Sequence, residues 1–231
     1  AATSAPTVAI AEAADGVSSA EALDGSPAGV ALTVTVPANA RVGDVVTTLV
    51  TAPNGTTSTL SYTLQTGDLP PAQGGTSSGG PNFTITQTVP LETLRPSSIY
   101  LDGAWTTSTT ITDPAGNTSP ADADGFTLAA NTPTVSIATV AGDNTINAAE
   151  KSGDVAVSGT TTFVEAGQTV TVRMFGTDVD RTYTAIVQAN GSYSLNIPAA
   201  HLPVNDGTYT LTANATNLVG TAATQATQAL L

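Results

Sequence analysis

The chain has 231 residues, enough for one large domain or two small ones. Hydrophobic residues make up 40% and aromatic residues 4%, so any core must be built mostly of Val, Leu, Ile and Ala. Charged residues are only 10% and the net charge is −13, from 5 Lys+Arg against 18 Asp+Glu, which argues against nucleic acid or an anionic membrane surface as partner, since both need clustered cations.

The opening, "AATSAPTVAIAEAADG", lacks the basic start of a secretion signal, and the chain reads as a segment of something longer. Thr and Val are abundant and Lys and Arg scarce, a balance that favours strands over helices. The stretch "TGDLPPAQGGTSSGGPN" (66–82) is too poor in apolar residues to pack and predicts an exposed inserted loop. A binding role for it competes with the plainer reading of a tolerated insertion. "VPLETL" (89–94), a small excess at "RPSSIY" (95–100) and "DGAWTTSTTITDPAG" (102–116) follow.

The second half repeats the first in the same order. "PTVAIAEAADGVSSAE" (6–21) matches "PTVSIATVAGDNTINAAE" (133–150) with a small gap, and "VPLETL" matches "IPAAHL" (197–202). "DGAWTTSTTITDPAG" matches "DGTYTLTANATNLVG" (206–220) with no gap. Two homologous units are therefore expected, 1–130 and 131–231, with the boundary at "AANTPTV" (129–135) and a linker short enough to restrict orientation.

In the second unit, strands are expected at "TVSIATV" (134–140), "DVAVSGTT" (154–161), "QTVTVRMFG" (168–176), "TYTAIVQ" (182–188), "SYSLNIP" (192–198), "TYTLTANATN" (208–217) and "TAATQATQAL" (221–230). "EAG", "DVDR", "ANG" and "VNDG" supply the turns between them. Tyr193, Leu195 and Ile197 alternate onto one face. Strands at this density describe an all-β fold of two tandem immunoglobulin-like β-sandwiches. Cysteine is absent, so apolar packing alone must hold the sheets and no thiolate can bind a metal. Tyr209, and Trp105 at the same place in the first unit, read as core or corner residues.

No enzyme active site is evident. His201, in "PAAHLP", reads as a surface residue, and carboxylates come without a base, a nucleophile or a phosphate loop beside them. No apolar run approaches the ~20 residues that span a bilayer, so membrane insertion is not expected. Between Arg95 and Lys151 no basic residue occurs, while Asp102, Asp113, Asp122, Asp124, Asp143 and Glu150 do. That stretch is either a solvated acidic surface or a place for cations. "GDNTINAAE" (142–150) carries the same ambiguity. Asp143, Asn147 and Glu150 with a few carbonyls suit Ca²⁺, which takes six to eight oxygens. Equally, Asn147 and Glu150 suit a capping box on "AAEK". The loop is not an EF-hand, since its sixth position from Asp143 is Ala148 rather than glycine.

The succession "DN-x-IN-x-AE", "V-x-V-x-GTT", "EAGQTVTV", "ANGSYSLNIPAAHL" and "DGTYTLTANAT" resembles the tandem bacterial Ig-like domains of giant type I-secreted, RTX or biofilm-associated surface adhesins. "TITDPAGNTS" (110–119) is similar to the sequence those repeats carry near their last hairpin. The resemblance covers nearly all of 133–231 and the start and end of the first unit. It implies an extracellular stalk module on the bacterial cell surface, partnered by neighbouring repeats of its own chain, with host or abiotic surfaces reached by other regions. It also implies calcium at or near domain junctions. The loop acids it points to are Asp143 and Glu150, their first-unit counterparts Asp15 and Glu21, and the hairpin acid Asp113, whose second-unit counterpart is the neutral Asn217. A different class of function would use the 66–82 loop with Tyr62 or Tyr100 to bind a receptor or carbohydrate.

Overall fold

The computed structural model describes residues 4–11, 15–24, 28–70, 81–97 and 99–231. Alternating β-branched residues make antiparallel strands almost throughout, and the chain divides into two compact units, Ala1–Asn131 and Thr132–Leu231. In the first unit, β1 (Thr7–Ile10), β2 (Gly29–Val36) and β5 (Phe83–Pro90) form one sheet in the order β1-β2-β5. The strands β3 (Val45–Thr51), β4 (Thr57–Thr63), β6 (Gly103–Thr112) and β7 (Asp122–Leu128) form the other in the order β4-β3-β6-β7. Val30, Leu32, Val34 and Val36 of β2 bury one face of their strand against Val46, Val50, Trp105 and Ile111 from the opposite sheet. Two short helices, α1 (Ser19–Leu23) and α2 (Leu91–Leu94), add the buried Ala22 and Leu94 to the same core. The centre of the inserted loop, 71–80, lies outside the described residues.

The second unit repeats this plan. Its sheets are β12 (Ser192–Ile197), β9 (Val155–Thr162) and β8 (Thr134–Val135), in that order, and β11 (Asp180–Ile186), β10 (Thr169–Phe175), β13 (Tyr209–Ala215) and β14 (Ala226–Leu230), in that order. The fold class is therefore the expected one, two tandem immunoglobulin-like sandwiches without disulfides. Each buried Val or Leu contributes on the order of 1.5–3 kcal/mol by leaving water. The second core holds Val157, Val170, Val172, Met174, Ile197 and Leu211, all fully buried.

Two strands are shorter than their sequence suggests: "TAATQATQAL" runs as a strand only at Ala226–Leu230, and the other opens the second unit. "TVSIATV" keeps ladder pairing only at Thr134–Val135, although Ser136 and Ala138 still donate to the Thr160 and Ser158 carbonyls. The reason is a side chain that crosses the sheet edge. Tyr193 donates its hydroxyl to the Ser136 carbonyl at 2.7 Å. Gly159 lets it through: a Cβ there would lie 1.9 Å from that carbonyl oxygen and 2.7 Å from the Tyr193 ring. Strand registers put Val34 and Ile85 at the matching places of the first unit, an ordinary apolar pair with no such crossing.

Candidate functional site

The polar residues singled out by sequence sit at strand ends, and the local backbone explains each. After β8 the chain turns sharply: Ala141, Gly142 and Asn144 all have positive φ, 54°, 90° and 63°. Asn144 tolerates this region and steadies it, its side-chain oxygen accepting from Val140 N–H at 2.9 Å. Asp143 accepts from Thr145 N–H at 2.8 Å, an Asx turn. Asn147 and Glu150 then form a reciprocal cap on the following 3-10 turn. Asn147 Oδ1 accepts from Ala149 and Glu150 N–H, and Glu150 Oε2 accepts from Asn147 N–H at 2.9 Å.

The first unit builds the same device from other residues. Ser18 Oγ accepts from Glu21 N–H, and Glu21 Oε2 accepts from Ser18 N–H at 2.7 Å, a capping box on α1. The Ser18 backbone bond first, then its hydroxyl, holds the Glu21 carboxyl below the usual carboxylate range. Asp15 lies exposed at the turn before it.

Asp113 organises the last hairpin. Its carboxylate accepts from the N–H groups of Ala115 and Asn117 and from Asn117 Nδ2, at 3.0, 2.9 and 2.8 Å. The Asn117 side chain first, then its backbone N–H, lowers the Asp113 pKa. Asn217 repeats the turn without charge, accepting from Thr221 N–H at 2.8 Å. Nearby, burial pushes the Asp44 carboxyl up, a bond from Arg41 N–H opposes the shift, and the Asp113 charge adds to the rise.

Among the other carboxylates that hold backbone are Asp178, which the sequence did not single out, and Asp102, named there only within the acidic stretch. Asp178 accepts from the Tyr209 hydroxyl and from the N–H groups of Val204 and Asn205. The same hydroxyl oxygen lies 3.0 Å from the Asn205 carbonyl oxygen four residues upstream, so its one hydrogen is shared between Asp178 and a tyrosine-corner contact. Trp105 makes the corner contact in the first unit, its Nε1–H reaching the Leu101 carbonyl at 2.9 Å. Asp102 accepts from Ala130 N–H at 2.9 Å and Asn131 N–H at 3.3 Å, fixing the end of the first unit. The signal for Asp102 was present in the sequence as the repeated "DG" of residues 102–103 and 206–207. Asp178 has no such signal, because it meets Tyr209 from a different hairpin.

No protein-family model matches the chain, and no curated protein does. Solved structures do match. A bacterial immunoglobulin-like domain from the M. primoryensis ice-binding adhesin is 32% identical, with 44% of this chain aligned to 95% of that domain, at a TM-score of 0.34. The chain belongs to the bacterial immunoglobulin-like domains of large adhesins. A tetra-tandem repeat in the extending region of a large adhesion protein is 24% identical over 98% of this chain, at a TM-score of 0.47. An adhesin described as Ca²⁺-stabilized, which helps an Antarctic bacterium bind ice, is 26% identical over 99% of this chain, at a TM-score of 0.37. The chain spans 49% of the length of each of these two. The family rests on the 32% identity across nearly the whole of that adhesin domain, not on the superposition scores.

Among the described residues no group of three or more His, Asp or Glu side chains converges. Asp143, Asn147 and Glu150 turn oxygens to their own backbone, as do Glu21 and Asp113. Trp105 and Tyr100 are buried, and Arg95 covers the Tyr100 ring at 5.2 Å. Tyr62 is half-buried and donates its hydroxyl to Asp68 at 2.9 Å. His201 departs from the surface reading: it is half-buried, with its ring 6.0 Å from that of Tyr183.

Proposed function

We propose that the chain is a structural extender of a bacterial cell-surface adhesin. Ig-like repeats in series carry a distal binding region away from the cell and so serve adhesion and biofilm formation. The protein is extracellular in this reading, exported by type I secretion, and its direct partners are neighbouring repeats of its own chain. Host or abiotic surfaces are met by other regions. One observation supports the reading above others. Both units direct their loop side chains inward onto their own backbone, through Ser18 and Glu21, Asn147 and Glu150, Asp102, Asp113 and Asp178. Such loops hold a shape rather than present a ligand site. No helix among the described residues is long and apolar enough to cross a membrane.

Calcium belongs to the proposal only as a joint contribution. Asp15 with Glu21, Asp143 with Asn147 and Glu150, and Asp113 alone each bring part of a shell of six to eight oxygens. The remainder would come from outside the unit concerned.

A glycan array and a whole-cell binding assay on this chain test the stalk reading. No saturable binding is expected. Saturable binding that disappears when 66–82 is shortened would overturn it in favour of a receptor- or carbohydrate-binding module.

A further inference from the structure

The two units differ at the end of the last strand. In the first, β7 runs past Leu128 and its backbone is held residue by residue. Val17 donates to the Thr127 carbonyl at 2.7 Å, and Ala129 donates to the Val17 carbonyl at 2.9 Å. Ala130 and Asn131 donate to the two oxygens of Asp102, and the Asn131 side chain brackets Tyr100, bonding both its N–H and its carbonyl. Leu128, Ala129 and Ala130 are buried in consequence.

The second unit has the receiving half of this arrangement. Tyr209 pairs with Leu230 on the rung that Trp105 and Phe126 occupy in the first. Ile146 donates to the Leu231 carbonyl at 2.7 Å, so it stands where Val17 stands. Asp206 precedes Gly207 as Asp102 precedes Gly103, with its side chain exposed and one oxygen 3.5 Å from Lys151 Nζ. Val204 takes the place of the buried Tyr100 and is 87% exposed. Between these groups lies a cleft of about 330 Å³ lined by Ile146, Asp206, Gly207, Tyr209, Leu230 and Leu231.

We propose that this cleft is the seat of an extended backbone running on from Leu231 in the register of β14, with Asp206 accepting two successive backbone N–H groups. The occupant is specified by the first unit: an apolar residue, two small residues, and one able to bond main chain, as in Leu128–Asn131. A carboxylate between two amides is a charge-assisted clamp, stronger than an amide–carbonyl bond. It would fix the chain where it leaves the repeat, whatever the adhesin binds.

The test uses the full chain with Leu-Ala-Ala-Asn added after Leu231, followed by amide hydrogen exchange. The third and fourth added amides are expected to exchange about tenfold or more slowly than in a free peptide, the factor a net bond to a charged acceptor carries. Asp206→Ala, at an exposed position, should return them to the free rate while the β13 amides stay protected. An added Leu-Ala-Pro-Pro, which lacks both N–H groups, should lower the melting temperature of the second unit relative to Leu-Ala-Ala-Asn. In the unextended chain, Asp102→Ala should speed exchange at Ala130 and Asn131. Free-peptide exchange of the added amides, or protection that survives Asp206→Ala, would overturn the proposal.

Discussion

At the scale of single residues, the corner side chains separate what a sequence discloses from what it hides. Tyr209 and Trp105 follow "DG" in each repeat, and that position alone marks them as core or corner residues. Both are buried, and both reach a carbonyl four residues upstream. What no local pattern reveals is Asp178, brought to Tyr209 from another hairpin. Its effect is visible in titration. The Asp178 bond first, then burial, pushes the Tyr209 hydroxyl up to about 12, and the same bond lowers Asp178. A raised tyrosine pKa stabilises the fold fully below tyrosine's ordinary value of about 10 and loses that effect as pH rises through about 12. A lowered Asp pKa stabilises above about 4 and fails as pH falls through the folded value. Tyr209→Phe should therefore lower the melting temperature at neutral pH by several degrees. It should also flatten part of the decline between pH 10 and 12. Tyr193, raised to about 12 by burial, keeps the rest of that decline. Calorimetry across pH measures both, and an unchanged alkaline limb would remove the corner bond from the account.

At the scale of elements, alternation identifies strands but not always the face that turns inward. In β6, "GAWTTSTTIT", the inward residues are Trp105, Thr107, Thr109 and Ile111, and threonine alone does not say which side it takes. The inward threonines belong to a polar bridge across the first sandwich. Thr48 of β3 donates to Gln87 Oε1 of β5 at 2.5 Å and lies 2.7 Å from Thr109 Oγ1, while Gln87 Nε2 donates to the Val46 carbonyl. Registers place Val172, Leu195 and Ala213 at the matching positions of the second unit, where the bridge is replaced by apolar packing. One plan thus accepts either solution as a complete set. Thr48→Val alone strips Gln87 and Thr109 of their shared partner and should cost about 1–3 kcal/mol. The triple change to Val, Leu and Ala should come back to within about 1 kcal/mol of the parent, because no buried polar group is left unmatched. Thr107 makes a related point: its hydroxyl is buried without a partner, so Thr107→Val should stabilise by about 1 kcal/mol. Urea unfolding followed by Trp105 fluorescence reports on this unit, since the chain has one tryptophan. A triple variant no better than Thr48→Val would refute the matched-set argument.

At the scale of the molecule, the repeat itself was the most legible feature, because "DGAW" and "DGTY" align without a gap. The use made of the acids was not legible, since a capping carboxylate and a metal ligand are the same residue types at the same spacing. The structure shows oxygens of these acids accepting from their own backbone, a role that leaves further lone pairs on each carboxylate. Charge gives a way to tell the two roles apart in solution. With 18 acidic and 5 basic residues, the folded chain repels itself, and any salt should raise its melting temperature by screening. Coordinated Ca²⁺ would add a linkage increment that grows with its concentration over Kd. The carboxylates at Glu21, Asp113, Asp143 and Glu150 accept from backbone N–H groups of their own units, and no three acids converge among the described residues. If no shell is complete within 1–231, screening accounts for the whole effect. At matched ionic strength, millimolar CaCl₂ and NaCl should give melting temperatures for 1–231 that agree within about 1 °C, since one kcal/mol shifts a domain of this size by roughly 4–8 °C. A surplus in Ca²⁺ that vanishes in Glu150→Gln would place a site at "GDNTINAAE" and show that the cap yields to the ion.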